Sequence, residues 1–112
     1  MTVTVLDFGS GNLGSICNML NHIGAPTEII QSGSGLKNPQ RIIIPGIGAF
    51  DETIKKFQNC GFIDPLKKIV AAGNTPVLGI CVGMQILLNY SEEGNSPGLK
   101  IIDGSVIKFD RL

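Results

Sequence analysis

Four short apolar runs, the second followed by a Ser/Gly loop (Ser32–Gly35) and the other three by helical stripes, constrain this chain more than any other feature. They are Thr2–Phe8 (TVTVLDF), Thr27–Gln31 (TEIIQ), Arg41–Pro45 (RIIIP) and Thr75–Ile80 (TPVLGI). Their length and β-branched content predict strands. Arg41–Pro45 is apolar on both faces, the pattern of a strand inside a parallel sheet. Between the runs the period changes from two to 3.6. Leu13, Ile16, Cys17 and Leu20 form one helical face, Phe50, Thr53, Ile54 and Phe57 a second, and Ile63, Leu66, Ile69 and Val70 a third. For the third, Asp64 is the expected N-cap, with Pro65 at the first helical position. Met84, Leu87 and Leu88 open a further helix, and Ser91–Gly98 reads as a polar loop. Ile101-Ile102 and Val106–Phe109 flank Asp103-Gly104, the usual signal of a hairpin. Alternating strands and helices imply an α/β protein: a flavodoxin-like three-layer sandwich with a mainly parallel sheet. Ligands of such sheets bind at the carboxyl ends of the strands, which directs attention to the turns there.

Composition narrows the function classes. With 112 residues, 43% hydrophobic and 16% charged, the chain suits one domain or part of one and is not disordered. Nine basic residues balance nine acidic ones. No strong field is available for nucleic acid or an anionic membrane, so neither is expected as a partner. No run approaches the ~18–20 apolar residues of a membrane span, and Val3–Phe8 is too short for the apolar region of a signal peptide. Cys17, Cys60 and Cys81 lack CxxC spacing, and with His22 as the one histidine they make a poor metal set. A reducing, cytoplasmic setting is expected, with no metal and no cofactor.

Three glycine-rich turns carry the chemistry. Gly9-Ser10-Gly11-Asn12-Leu13-Gly14 is a formal GxGxxG between strand and helix. It reads either as a dinucleotide fingerprint or as a tight turn that needs glycine for its backbone angles. The fingerprint also asks for an acid at the end of the second strand, where Gln31-Ser32 stand instead, so the turn is favoured. Gly79-Ile80-Cys81-Val82-Gly83 is a GxCxG at a strand-to-helix junction, a nucleophile elbow with sulfur in place of oxygen. Small residues must flank a side chain held on so sharp a turn. The following helix N-terminus favours thiolate, and the Val82 amide faces the place where an oxyanion forms. Most free cysteines are simply buried, a reading that suits Cys17 and stays open for Cys60. Pro45-Gly46-Ile47-Gly48-Ala49-Phe50 offers close-approaching main-chain N–H groups as a second oxyanion donor. His22 lies at a helix end far in sequence from Cys81, which leaves the thiol without an evident base.

With these motifs in place, the chain resembles the class I glutamine amidotransferases, and among them the glutaminase subunit of imidazole glycerol phosphate synthase. The matching segments are Asp7–Leu13 (DFGSGNL), Ile44–Phe50 (IPGIGAF), Gly79–Gln85 (GICVGMQ) and Ser91–Gly94 (SEEG). The resemblance implies that Cys81 attacks the side-chain amide of glutamine, releasing ammonia and leaving a glutamyl thioester for water. It implies an oxyanion hole at the Val82 and Ile47 backbones, with substrate contacts at Gly46, Gly48, Gln85 and Glu93. Glu93 suits the substrate ammonium. Asn12 falls near the interface with a (β/α)8-barrel synthase subunit, the expected heterodimer partner, which uses the ammonia for imidazole glycerol phosphate in histidine synthesis. Residues 1–112 then correspond to the amino-terminal part of a single amidotransferase domain, incomplete on its C-terminal side. The family's catalytic His and Glu come from a later segment, so the chain is either a fragment or a shortened subunit, inactive by itself. Other readings are a paralogue feeding amidation of a surface-polysaccharide sugar, a nucleotide-binding module on Gly9–Gly14, and a silent structural partner of a synthase.

Overall fold

A computed structural model describes residues 1–110. The four apolar runs form one parallel sheet from β1 (Val3–Leu6), β2 (Thr27–Ile30), β3 (Arg41–Ile44) and β4 (Val77–Gly79), in the order β2-β1-β3-β4. Val3 registers with Thr27 on one side and Arg41 on the other, and Ile43 with Leu78. The direction of winding reverses between β1 and β3. That reversal falls between the carboxyl ends of β1 and β3, the place where doubly wound sheets bind their ligands.

Side-chain alternation divides the core into two layers. Val3, Val5 and Ile43 face α1 (Leu13–His22) and pack with Leu20. Leu6, Ile42 and Ile44 point the other way, into a larger cluster with Phe50, Ile54 and Phe57 of α2 (Phe50–Asn59) and Leu66 of α3 (Ile63–Ala72). This is the expected three-layer sandwich. Phe8 extends the larger core just beyond β1, its ring edge-on to Phe57 at a centroid distance of 5.1 Å, so the first glycine turn leaves from a fixed point. Thr4 is the polar exception inside a strand. It is buried and donates its hydroxyl to Glu28 Oε1 at 2.7 Å, which satisfies it.

Three local expectations need correction. Asp64 is not the N-cap of the third helix: α3 begins at Ile63, with Phe62 in the cap position and Asp64 inside the first turn. The cause is tertiary. Phe62 is fully buried, 5.3 Å from the Phe57 ring, and its carbonyl accepts the first helical bond from Leu66 at 3.0 Å. The helix after the fourth strand is a single turn, α4 (Val82–Gln85), and Met84 points outward while Val82, Ile86 and Leu87 are buried. Beyond it, the Leu87 and Leu88 N–H groups bond three residues back, to Met84 and Gln85, at 3.1 Å. No hairpin forms around Asp103-Gly104. The Ile101 and Ile102 N–H groups both donate to Leu87 O at 2.9 Å, and the Gly104 carbonyl accepts from Asn89 N at 2.9 Å. The first flanking run is thus committed to Leu87, while Val106 of the second accepts from Glu92 N at 3.0 Å, so the two runs do not pair with each other. Instead, β5 (Tyr90–Ser91) pairs in parallel with β6 (Ser105–Val106).

Phe57 joins the β1 exit, α2 and the start of α3 in one contact. Phe57→Ala is expected to lower the unfolding free energy by about 3–5 kcal/mol. Chemical denaturation measures this, and a loss below ~1 kcal/mol would show that the aromatic cluster is not the keystone of the larger layer.

Candidate active site

Cys81 stands between β4 and α4 with φ 54° and ψ −125°, a conformation that L side chains rarely adopt. Such a backbone costs roughly 1–3 kcal/mol and persists only where its surroundings enforce it. Here the enforcement is steric. A Cβ at Gly83 would collide with the Ile44 carbonyl oxygen, and one at Gly79 would lie 2.7 Å from Met84 N. A Cβ at Gly46 would lie 2.7 Å from Val82 Cγ1 and 2.9 Å from Gly83 N. The end of β3 and the start of α4 therefore touch backbone to backbone, with no room for a side chain on either. The turn closes with Gly83 N donating to Ile80 O at 2.9 Å and Met84 N to Cys81 O at 3.0 Å. The outcome is a free, exposed thiol held out from a rigid turn.

The glycine turns after β1 and β3 are joined to each other. Ser10, buried between Gly9 and Gly11, donates its hydroxyl to Ile47 O at 2.9 Å and accepts from Ile47 N at 3.0 Å. A Cβ at Gly11 would lie 2.8 Å from Pro45 Cβ. Asn12 caps α1, its Oδ1 accepting from Ser15 N at 3.2 Å. The Gly9–Gly14 segment is thus used in packing, bracing and capping, which accords with the turn reading rather than a pyrophosphate cradle. The Val82 N–H begins α4 and has no intrahelical acceptor. The Ile47 N–H, by contrast, is engaged by Ser10 Oγ, and its side chain is exposed.

Gln85 lies one turn after Cys81, its N–H donating to Cys81 O at 3.2 Å, and its side chain is half-buried. Glu93 lies in the exposed loop after β5, its N–H donating to Ser91 Oγ at 3.1 Å. Among the described residues its carboxylate has no ion-pair or hydrogen-bond partner. Asp51, in the first turn of α2, holds that loop: both its oxygens accept from Asn95 N, at 2.9 and 2.8 Å, and Oδ1 also accepts from Ser96 N at 2.8 Å. These backbone N–H groups pull the Asp51 carboxyl below its ordinary value. Since α2 begins two residues after Gly48, its first turn carries both the Gly46–Gly48 turn and, through Asp51, the Glu93 loop. His22 ends α1 just before β2 begins, hence at the amino-terminal edge of the sheet, opposite Cys81. Ser10 stood out in the sequence only as part of the first glycine turn, and Asp51 carried no signal there.

Residues 4–108 match the family profile described as glutamine amidotransferase class-I. The chain belongs to that family. Curated relatives include the imidazole glycerol phosphate synthase subunit HisH of Leptospira interrogans, 42% identical over 96% of this chain and 53% of that protein. Subunit HisH 2 of Pseudomonas aeruginosa is 38% identical over 97% of this chain and 54% of its own. The chain spans about half the length of these relatives. Among solved structures, one titled as a glutamine amidotransferase superposes with a TM-score of 0.73 at 23% identity, covering 88% of this chain and 52% of that one. A Peptidase E-like protein of Listeria monocytogenes reaches 0.70 at 16% identity over 90% and 62%, a likeness of fold alone.

In this amidotransferase chain the elbow depends on glycine at 83. Gly83→Ala is expected to push α4 off β3 and lower stability by about 1–3 kcal/mol, read by thermal or chemical unfolding. An unchanged midpoint would contradict the packing described. For Asp51 the sign is also fixed. A carboxyl whose folded value is lowered adds stability above the unfolded value of ~3.9 and loses it as the pH falls through the folded value. An NMR titration of the Asp51 carboxyl carbon is expected to place its midpoint below that of free aspartate; a midpoint at or above it would refute the clamp.

Proposed function

We propose that residues 1–112 are the nucleophile-bearing, amino-terminal part of a glutaminase domain that releases ammonia from glutamine. The observation that carries this reading is the Cys81 backbone: a strained, glycine-enforced turn that presents an exposed thiol at the carboxyl edge of β4. Strain of this kind at a reactive side chain is typical of a functional site.

In the proposed reaction, Cys81 Sγ as thiolate attacks the side-chain carbonyl carbon of glutamine. The carbonyl π pair moves to oxygen, where the Val82 N–H stabilises it. The Ile47 N–H joins once it exchanges Ser10 Oγ for the substrate oxygen. The amide nitrogen of the tetrahedral adduct takes up a proton, the C–N bond breaks as the carbonyl re-forms, and ammonia leaves behind a glutamyl thioester. Water, giving up a proton to a base, then attacks the thioester carbon, and cleavage of the C–S bond gives glutamate and returns the Cys81 thiolate. Gly46 and Gly48 line the side-chain amide, Gln85 holds the substrate from the first turn beyond the nucleophile, and Glu93 pairs with its ammonium. Protonating the leaving nitrogen needs a general acid and activating the water a general base, two roles that one titratable group can fill in turn. His22 is on the opposite edge, so the base comes from outside the described residues. The relatives' names support imidazole glycerol phosphate synthase as the destination of the ammonia over sugar amidation. The word "subunit" in those names supports a synthase partner, a (β/α)8 barrel by family resemblance, docking near Asn12. Three free cysteines support a reducing, cytoplasmic setting. No helix among the described residues is long and apolar enough to cross a membrane.

Ammonia release tests the proposal. Residues 1–112 alone are expected to show negligible turnover. A chain extended through a catalytic base and assembled with its synthase is expected to be active, and Cys81→Ala should cost it at least ~1000-fold. Robust Cys81-dependent release by residues 1–112 alone would contradict the assignment of the base to another segment. Full activity in the Cys81→Ala complex would overturn the nucleophile.

A further inference from the structure

We propose that Asp51 is a positioning residue for the substrate: it sets the place of the Glu93 carboxylate relative to the Gly46–Gly48 turn and Cys81. The inference rests on the reading of Glu93 as the ammonium ligand. Its own basis is a separate set of contacts. Glu93 is exposed and nothing among the described residues engages its carboxylate, so its position depends on the backbone that carries it. That backbone is held from two sides. Ser91, buried, accepts the Glu93 N–H at 3.1 Å and fixes the near end of the loop. Asp51 fixes the far end through the Asn95 and Ser96 N–H groups, 44 and 45 residues away in sequence.

The fit is tight. A Cβ at Gly94 would collide with Asp51 Oδ1 and lie 3.0 Å from the Phe50 ring, so the loop reaches the carboxylate only because residue 94 lacks a side chain. Phe50 is buried in the larger core, which makes the first turn of α2 a rigid mount. Glutamine must place its ammonium and its side-chain carbonyl in two sites at once. The carbonyl site is fixed by the β3–α4 packing, and the ammonium site moves with the 93–96 loop. Misplacing one of two fixed points weakens binding of ground and transition state together, so the expected signature is in substrate affinity rather than in the chemical step.

The test uses the chain itself and an α-chloroketone analogue of glutamine. The Cys81 thiolate displaces chloride, forming a thioether, without need of a catalytic base. Mass spectrometry of the Cys81 peptide gives the half-saturating concentration and the maximal rate, and iodoacetamide, which carries no ammonium, reports the thiol alone. Asp51→Asn and, independently, Gly94→Ala are expected to raise half-saturation about tenfold, with the maximal rate and the iodoacetamide rate within about twofold of the parent. Half-buried Cys17 and Cys60 should stay as slow as in the parent, which shows that the fold persists. Adding Asp51→Asn to Glu93→Gln should raise half-saturation no further, a coupling that a purely structural role would not produce. If Glu93→Gln raises half-saturation while Asp51→Asn and Gly94→Ala do not, the positioning role is overturned and the Glu93 reading stands. If Glu93→Gln has no effect, or the parent does not saturate, the ammonium reading fails and the Asp51 role fails with it.

Discussion

The backbone contact between the end of β3 and the start of α4 governs the rest of the site. Gly46 and Gly83 approach so closely that neither tolerates a Cβ, and this contact leaves Cys81 no route but the left-handed turn it takes. Packing of that kind is directional in a way that hydrophobic burial is not. It brings the Val82 N–H, the Gly46–Gly48 turn and the thiol to one edge of the sheet. The large apolar layer behind it, centred on Phe57, supplies the stability against which a strained residue can be held.

Long-range polar contacts then refine what the packing fixes. Ser10 brackets Ile47 with two hydrogen bonds across 37 residues, tying the turn after β1 to the turn after β3 at the point where the sheet reverses its winding. Asp51 does similar work on the opposite side, tying the Glu93 loop to the first turn of α2. Each Ser10 bond is individually modest, about 1 kcal/mol net for a neutral pair. Their effect is to convert loops, which are mobile by default, into parts of known position.

Much of this was legible from local pattern. The β3 strand was readable because a segment buried on both faces, here Ile42–Ile44, must be apolar throughout, and α2 because Phe50, Thr53, Ile54 and Phe57 fall on one stripe. The elbow was readable because a sharp turn beneath a side chain demands glycine on both sides. What failed was whatever tertiary contact decides. Asp64 looked like a cap, but burial of Phe62 moved the start of α3. Asp103-Gly104 looked like a hairpin turn, but the hydrogen bonds of Ile101 and Ile102 went to Leu87. Ser10 and Asp51 were invisible as partners because nothing within a short window shows what lies some forty residues away.

We propose that the Cys81 turn presents the thiol to glutamine with the Val82 N–H free to receive the oxyanion. A crystal structure of the chain treated with glutamate γ-semialdehyde tests it most directly, since thiol addition to the aldehyde yields a tetrahedral adduct without a leaving group. The account predicts a bond from Cys81 Sγ to the aldehyde carbon, with the adduct oxygen within hydrogen-bond distance of the Val82 N–H. An adduct whose oxygen points away from Val82 and the Gly46–Gly48 turn, or an aldehyde bound elsewhere with Cys81 untouched, would contradict it.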